Sequence, residues 1–200
     1  RGSVQDVQSV LPRPAIAGEG PLDEVRAILA DVRQRGDIAL LEMTSRFDGA
    51  DLEAIRVDPA EVAAAPDRIQ PGVLKALEVA AEAVRRDDVG QVRPERRTEE
   101  DGLVIRSLSR PVERAGCYAP GGRAAYPSTV LMTAVPARVA GVDEVVLCVP
   151  PGVDGRIADV TLAAAAVAKV DAVYAVGGAQ AVAAMAYGTE TVPAVDVIVG

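Results

Sequence analysis

Two glycine-rich turns in the second half of the sequence carry the side chains best suited to hold a small ligand. In residues 116–122 (GCYAPGG), paired glycines let the backbone approach a ligand closely, and Tyr118 offers a flat ring with a hydroxyl. Residues 177–180 (GGAQ) are predicted at a strand-to-helix turn, where free amides favour an anion by about 0.3–1 kcal/mol. There Gln180 can both donate and accept a hydrogen bond. Both turns suit a dinucleotide, although neither has the Gly-x-Gly-x-x-Gly spacing and each is also compatible with a simple tight connection.

The other potentially reactive side chains are better explained by a structural role than by a catalytic or binding role. No histidine or lysine lies near Cys117 in sequence to favour a thiolate, and Cys148 falls in an apolar run that predicts a core position. Acidic residues cluster where a solvated face is the simpler interpretation. Arginines cluster beside acids and without aromatic partners, which argues against binding of nucleic acid. These clusters are Asp87, Asp88, Glu99, Glu100 and Asp101, and Arg85, Arg86, Arg93, Arg96 and Arg97.

The 200 residues include no histidine and only two cysteines. A zinc site of the usual four-ligand kinds therefore cannot be assembled within the chain, and Ser-His-Asp and Cys-His nucleophiles are excluded. We expect no catalytic residue and no metal ligand among these residues.

The composition is that of a globular protein, with 50% hydrophobic and 25% charged residues. A net charge of −8 argues against a nucleic-acid partner. No apolar run is long enough to span a membrane, and no signal peptide opens the chain. Two cysteines give no disulfide framework, so we expect a soluble, cytoplasmic protein.

The first part of the chain is predicted to be mainly helical. Residues 1–20 lack a hydrophobic period and suggest a tail or linker. Residues 21–115 contain helices bounded by Pro21 and Gly36, by Asp37 and Gly49, and further helices that begin at Asp58 and Pro71. We predict a solvated connector over residues 93–101. A strand at 103–105 and a loop around 116–122 follow.

Residues 116–200 alternate between strands and helices. Apolar strands are predicted over 144–149, 172–176 and 195–199, with helices between them. This pattern implies an α/β protein with a helical N-terminal segment and an incomplete, Rossmann-like parallel βαβαβ sheet. Because the sequence stops directly after a strand, at Gly200, we expect a fragment with an uncovered apolar patch and a tendency to self-associate.

Several blocks together resemble the histidinol dehydrogenase family. They are RPVERAGCYAPGG (110–122), YPSTVLM (126–132), VPARVAG (135–141), CVPP (148–151), VGGAQAVAA (176–184) and RGDIAL (35–40). The resemblance covers residues 21–200 and about the first half of a family member.

The resemblance implies a zinc-dependent, NAD-linked enzyme that oxidises L-histidinol to L-histidine in two hydride transfers, and an intertwined homodimer. Tyr118 and Gln180 match NAD-contacting positions of the family. A third contact belongs to a Gly-Pro-Gly-Asn turn whose first residue matches Gly200. The family's Glu-His catalytic pair and its zinc ligands belong to the other half, so zinc is expected only in the full-length enzyme and the 200 residues alone should be inactive.

Two alternatives stay open from the sequence. Asp87 and Asp88 precede Gln91 where the family often has an aromatic residue and a histidine, which allows a related NAD-dependent alcohol dehydrogenase with another substrate. The other alternative is a binding or assembly module without catalytic activity.

Overall fold

Four helices come first in the described part of the chain. A computed structural model describes residues 22–121 and 124–200, so the predicted tail over residues 1–20 and Gly122 lie outside the described residues. The predicted helices are confirmed. They are α1 (Leu22–Arg35), α2 (Asp37–Asp48), α3 (Pro59–Arg68) and α4 (Pro71–Val89). Asp58 caps α3 as its sequence suggests, since its carboxylate accepts from the Ala60 amide at 2.8 Å.

A two-stranded hairpin follows α4. Strands β1 (Arg96–Glu100) and β2 (Leu103–Ser107) pair antiparallel. The solvated connector predicted over residues 93–101 is therefore wrong in part, because most of it is strand. The missed signal is Asp101-Gly102, whose φ angles of 49° and 79° form the tight turn that a two-residue hairpin needs.

The rest of the described chain builds the main sheet. Its elements in order are β3 (Arg114–Tyr118), α5 (Pro127–Val139), β4 (Glu144–Val149), α6 (Asp159–Val167), β5 (Ala172–Ala175), α7 (Gly178–Tyr187) and β6 (Val197–Val199). The loop predicted from residue 116 begins later, because strand β3 continues through Tyr118. Its buried core is Ala115, Gly116 and Cys117, small residues with a weak strand signal.

All four strands of this sheet are parallel, in the order β5-β4-β3-β6. The predicted α/β fold with a parallel sheet is confirmed. Strand β3 pairs with β4 on one side and with β6 on the other. This is the order of the first four strands of a Rossmann sheet.

Helices cover both faces of the sheet. On one face, α3 to α6 pack over side chains such as Cys117 and Leu147. On the other face, α1, α2 and α7 enclose a second cluster that includes Leu40, Cys148 and Met185. The edge of β5 is covered by residues 55–57, since the amides of Val57 and Ala175 complete two hydrogen bonds there, at 2.9 and 2.7 Å.

Candidate functional site at the carboxyl edge of the sheet

The carboxyl ends of β3 and β6 meet where the sheet changes its winding direction. From β3 the chain crosses to β4 on one side, whereas β6 lies on the other side. In open parallel sheets, ligands bind in the crevice at this switch point. Tyr118 is the last residue of β3, and Gly200 is the first residue after β6. The two residues are so close that a β-carbon on Gly200 would lie 2.7 Å from the Tyr118 carbonyl oxygen.

The two turns predicted from sequence meet at Gly178. The Gly178 amide donates a hydrogen bond to the Tyr118 hydroxyl at 3.2 Å. Gly178 has a φ of +61°, and a β-carbon on it would lie 2.7 Å from the carboxamide oxygen of Gln180. The turn thus places the Tyr118 phenol on one side of the Gly178 backbone and the Gln180 carboxamide on another.

Tyr118 and Gln180 differ in their exposure. Tyr118 is half-buried, whereas Gln180, the third residue of α7, is only 2% exposed. A buried carboxamide is costly unless it is hydrogen-bonded or reaches a ligand. Cofactor contact by these two residues stays a prediction. The structure shows that the Tyr118 hydroxyl and the Gln180 carboxamide both lie beside Gly178 at the carboxyl edge of the sheet.

Pro150, the first residue after β4, joins the two glycine turns. A β-carbon on Gly121 would lie 2.8 Å from the Pro150 carbonyl oxygen, and one on Gly177 would lie 2.4 Å from the Pro150 β-carbon. Only glycine permits such close approach on both sides. The sequence places Pro150 directly after the strand predicted over 144–149 and does not indicate this packing role.

A cleft of about 520 Å³ opens beside this junction. Its lining includes Gly121, Pro150 and, from α6 and the loop before it, Asp154, Arg156, Asp159 and Thr161. The described lining residues include neither Tyr118 nor Gln180. Asp159 is held by Arg68 of α3, with Nε and Oδ1 2.7 Å apart. The sequence pattern does not single out these polar residues, because two of them lie in the loop after β4 and two in the first turn of the predicted helix that follows it.

The chain's thiols are unsuited to chemistry at neutral pH. Burial raises the pKa of Cys117, although Thr133 and Arg138 oppose the shift. Burial also raises the pKa of Cys148. Both thiols are fully buried, which confirms the core position predicted for Cys148. Within residues 22–121 and 124–200, no three His, Cys, Asp or Glu side chains lie together as a metal site.

The strand order and the turns at the switch point define a doubly wound, Rossmann-like α/β protein. A family model described as histidinol dehydrogenase matches residues 12–200. The chain belongs to the histidinol dehydrogenase family, as its sequence blocks suggested.

Relatives and a solved structure agree with this assignment. The chain is 45% identical over 202 residues to histidinol dehydrogenase of Methanothermobacter thermautotrophicus, covering 97% of this chain and 46% of the relative. It is 50% identical over 181 residues to that of Methanosarcina mazei, covering 89% and 42%. The crystal structure of histidinol dehydrogenase from Elizabethkingia anophelis superposes with a TM-score of 0.90 at 34% identity, covering 96% of this chain and 45% of that one.

The chain thus spans less than half the length of these relatives. Among the described helices, none combines the length and apolar character that crossing a bilayer needs.

Proposed function

We propose that this chain is the cofactor-side part of a histidinol dehydrogenase, which oxidises L-histidinol to L-histidine in two NAD-dependent steps. The observation that carries the proposal is the turn around Gly178, which follows β5 at the carboxyl edge of a family member's Rossmann-like sheet and donates to the hydroxyl of Tyr118, the residue at the switch point. Family membership and fold support the activity, which belongs to the complete protein.

The residues of this turn fit a dinucleotide. The backbone at Gly177 and Gly178 carries no side chain that would hinder a phosphate or a ribose, and the first-turn amides of α7 favour negative charge. In the proposed complex, Tyr118 borders the cofactor and Gln180 donates or accepts a hydrogen bond. NAD, when bound, supplies the hydride acceptor. The role of these residues is to bind and orient it.

The donors of this chain do not fit zinc. Both thiols are buried, their pKa values are raised, and the sequence holds no histidine. We therefore place the zinc ligands, the proton-transfer groups and the L-histidinol pocket in the remaining part of the complete enzyme. That enzyme is proposed to act in the cytoplasm as a homodimer, in keeping with a role in amino-acid biosynthesis.

A titration with NAD tests the binding proposal. Replacing Gln180 by alanine removes one hydrogen bond, worth about 1 kcal/mol, and should weaken NAD binding about five-fold in calorimetry. The control is Gln91→Ala, because Gln91 is exposed and bonded to Asp87 and Asp88 of α4. Its affinity should equal that of wild type.

Two results would contradict the proposal. One is equal NAD affinity in wild type, Gln180→Ala and Tyr118→Phe. The other is appreciable NADH production when the 200 residues alone receive histidinol, NAD and zinc, since the proposal places the catalytic groups elsewhere.

A further inference from the structure

Pro150 lies between the two glycine-rich turns of the proposed NAD site. It follows β4, and β4 lies between β3 and β5, the strands that lead into those turns. The Pro150 γ-carbon is 3.0 Å from the position of a β-carbon on Gly121 and also 3.0 Å from the position of one on Gly177. One atom of a buried side chain therefore packs against both turns.

Within the described residues, the hydrogen bonds of the sheet end where the two turns begin. On one side of β4, the Ala119 amide makes the last bond, to the Cys148 carbonyl at 3.1 Å. On the other side, the Val176 amide has left the sheet, since it donates to the Tyr174 carbonyl of its own strand at 3.0 Å. Pro150 has no N–H group with which to continue either pairing. Beyond β4, the turns are therefore positioned by packing.

The direct hydrogen bond between the turns is long. The Gly178 amide and the Tyr118 hydroxyl are 3.2 Å apart, at the upper end of the range for an N–H···O bond. The Pro150 ring, by contrast, is buried, and its atoms are closed into a pyrrolidine of fixed shape. A rigid spacer suits two turns that must hold one ligand between them, because binding groups need to be held close to their productive geometry.

We propose that Pro150 is a positioning residue for NAD binding, whose ring sets the distance between the turn that carries Tyr118 and the turn that carries Gln180. It acts through the two turns and touches no reacting group. Without the ring, the turns can shift relative to each other, and contacts made from the two sides then no longer fit one molecule. The inference rests on the proposed function, because it takes both turns as the NAD site.

Replacing Pro150 by alanine in the complete enzyme removes the shared γ-carbon and keeps the β-carbon. We expect the KM for NAD to rise about five-fold while kcat stays within about two-fold of wild type, since contacts to the cofactor are lost equally from the ground state and the transition state. A merely structural role would lower the fraction of folded enzyme, and with it kcat, and would leave the KM unchanged. The NAD affinity measured by calorimetry should fall by the same factor.

Pro151→Ala is the matched control for this substitution. Pro151 is the next residue and is also buried, and none of the described glycines has it among the nearest neighbours of its β-carbon position. The substitution removes the same atoms from the same loop. The KM for NAD should therefore stay at the wild-type value.

A pair of glycine variants tests the same packing independently. In Gly177→Ala the new β-carbon would lie 2.4 Å from the Pro150 β-carbon, so the KM for NAD should rise. Adding Pro150→Gly removes that atom and makes room for the methyl group, so the double variant should bind NAD more tightly than Gly177→Ala. In Gly121→Ala the nearest atom is the Pro150 carbonyl oxygen, at 2.8 Å. Pro150→Gly retains this oxygen and should restore no binding there.

Either of two results would overturn the positioning role. One is a wild-type KM for NAD in Pro150→Ala, and the other is equal NAD affinity in Gly177→Ala and its double variant. Gln180→Ala, measured beside them, separates this failure from failure of the proposed function. If only Gln180→Ala raises the KM, the turns bind NAD and Pro150 is not their spacer. If neither Gln180→Ala nor Pro150→Ala changes it, the turns are not the NAD site.

Discussion

Asp48 is held in an unfavourable position for a negative charge. It is the last residue of α2, where the helix dipole disfavours anions, and its Oδ2 is buried with no hydrogen-bond partner among the described residues. Burial raises the pKa of its carboxyl above the ordinary 3.8. The folded chain therefore binds this proton more tightly than the unfolded chain. It follows that the ionised carboxylate costs stability above the folded-state pKa, and that the cost disappears below the unfolded-state pKa.

We predict that Asp48→Asn stabilises the fold at neutral pH. The free energy of unfolding at pH 7 should rise by about 0.5–1 kcal/mol, the low end of the cost of an unpaired buried polar group, because the carboxyl is still partly solvated. The gain should shrink as the pH falls and vanish below 3.8, the ordinary pKa of the unfolded chain. Urea unfolding at a series of pH values measures it.

Asp67→Asn is the matched control for this prediction, because Asp67 lies near the C-terminus of α3 but is exposed. It should leave stability within about 0.5 kcal/mol of wild type. A neutral or destabilising Asp48→Asn at pH 7 would mean that the carboxylate has a favourable partner in solution.

At the scale of single residues, the sequence predicted part of the site. Tyr118 and Gln180 stand out because each lies in a glycine-rich turn, and the structure brings both to Gly178. The burial of Gln180 could not be predicted, because it depends on how α7 packs against the sheet. The position of Pro150 between two turns depends on strand order, which local sequence does not encode.

Among the elements, the turn that opens α7 is the most constrained. Gly178 has a positive φ, and its amide donates to the Tyr118 hydroxyl. The turn therefore needs a left-handed residue without a side chain, at the point where β3 and α7 touch.

We predict that Gly178→Ala destabilises the fold by about 1–2 kcal/mol, the cost of a left-handed residue with a β-carbon. The clash with Gln180 adds to this cost, since the new β-carbon would lie 2.7 Å from its oxygen. Gly72→Ala is the control. Gly72 lies in the first turn of α4 with no atom near its β-carbon position, so alanine should stabilise by about 0.4–1 kcal/mol. Equal urea midpoints for the two variants would show that the turn does not require glycine at position 178.

The elements that sequence predicted best have strong hydrophobic patterns. Strand β4 has the predicted bounds, because residues 144–149 are almost purely apolar. Strand β3 was not predicted, since Gly116 and Cys117 carry little strand preference and become strand only through pairing with both neighbours. Of the hairpin, strand β2 was predicted at 103–105. Strand β1 was missed because its charged residues suggested a solvated connector, which is correct for its exposure and wrong for its conformation.

Across the whole molecule, the helical segment and the sheet are joined by polar contacts. The Asp37 carboxylate accepts from the Thr189 hydroxyl at 2.6 Å, and Glu190 accepts from the Asp37 amide at 2.9 Å. These bonds tie the start of α2 to the loop after α7. They cross the predicted boundary between residues 21–115 and 116–200, which also falls inside β3. That division stays a prediction.

An apolar groove of about 360 Å³ lies where β6 meets α5. Met132, Val197 and Val199 line it and are 65%, 39% and 38% exposed. It is the kind of uncovered apolar surface that the sequence predicted, and in complete relatives more than half of the polypeptide lies outside the matched region. Self-association through this groove stays a prediction. Such association would strengthen with sulfate, because this salt favours the burial of apolar surface.

The proposed NAD site lies at the carboxyl edge of the sheet, at the switch point between β3 and β6. The most direct test is an NMR titration of the isotope-labelled chain with NAD, because backbone amide shifts report even weak binding residue by residue. We expect saturable shifts concentrated at Tyr118, Gly121 and residues 177–180, with little change in the β1–β2 hairpin. Shifts that cluster elsewhere, or shifts at the edge that persist unchanged in Gln180→Ala, would contradict it.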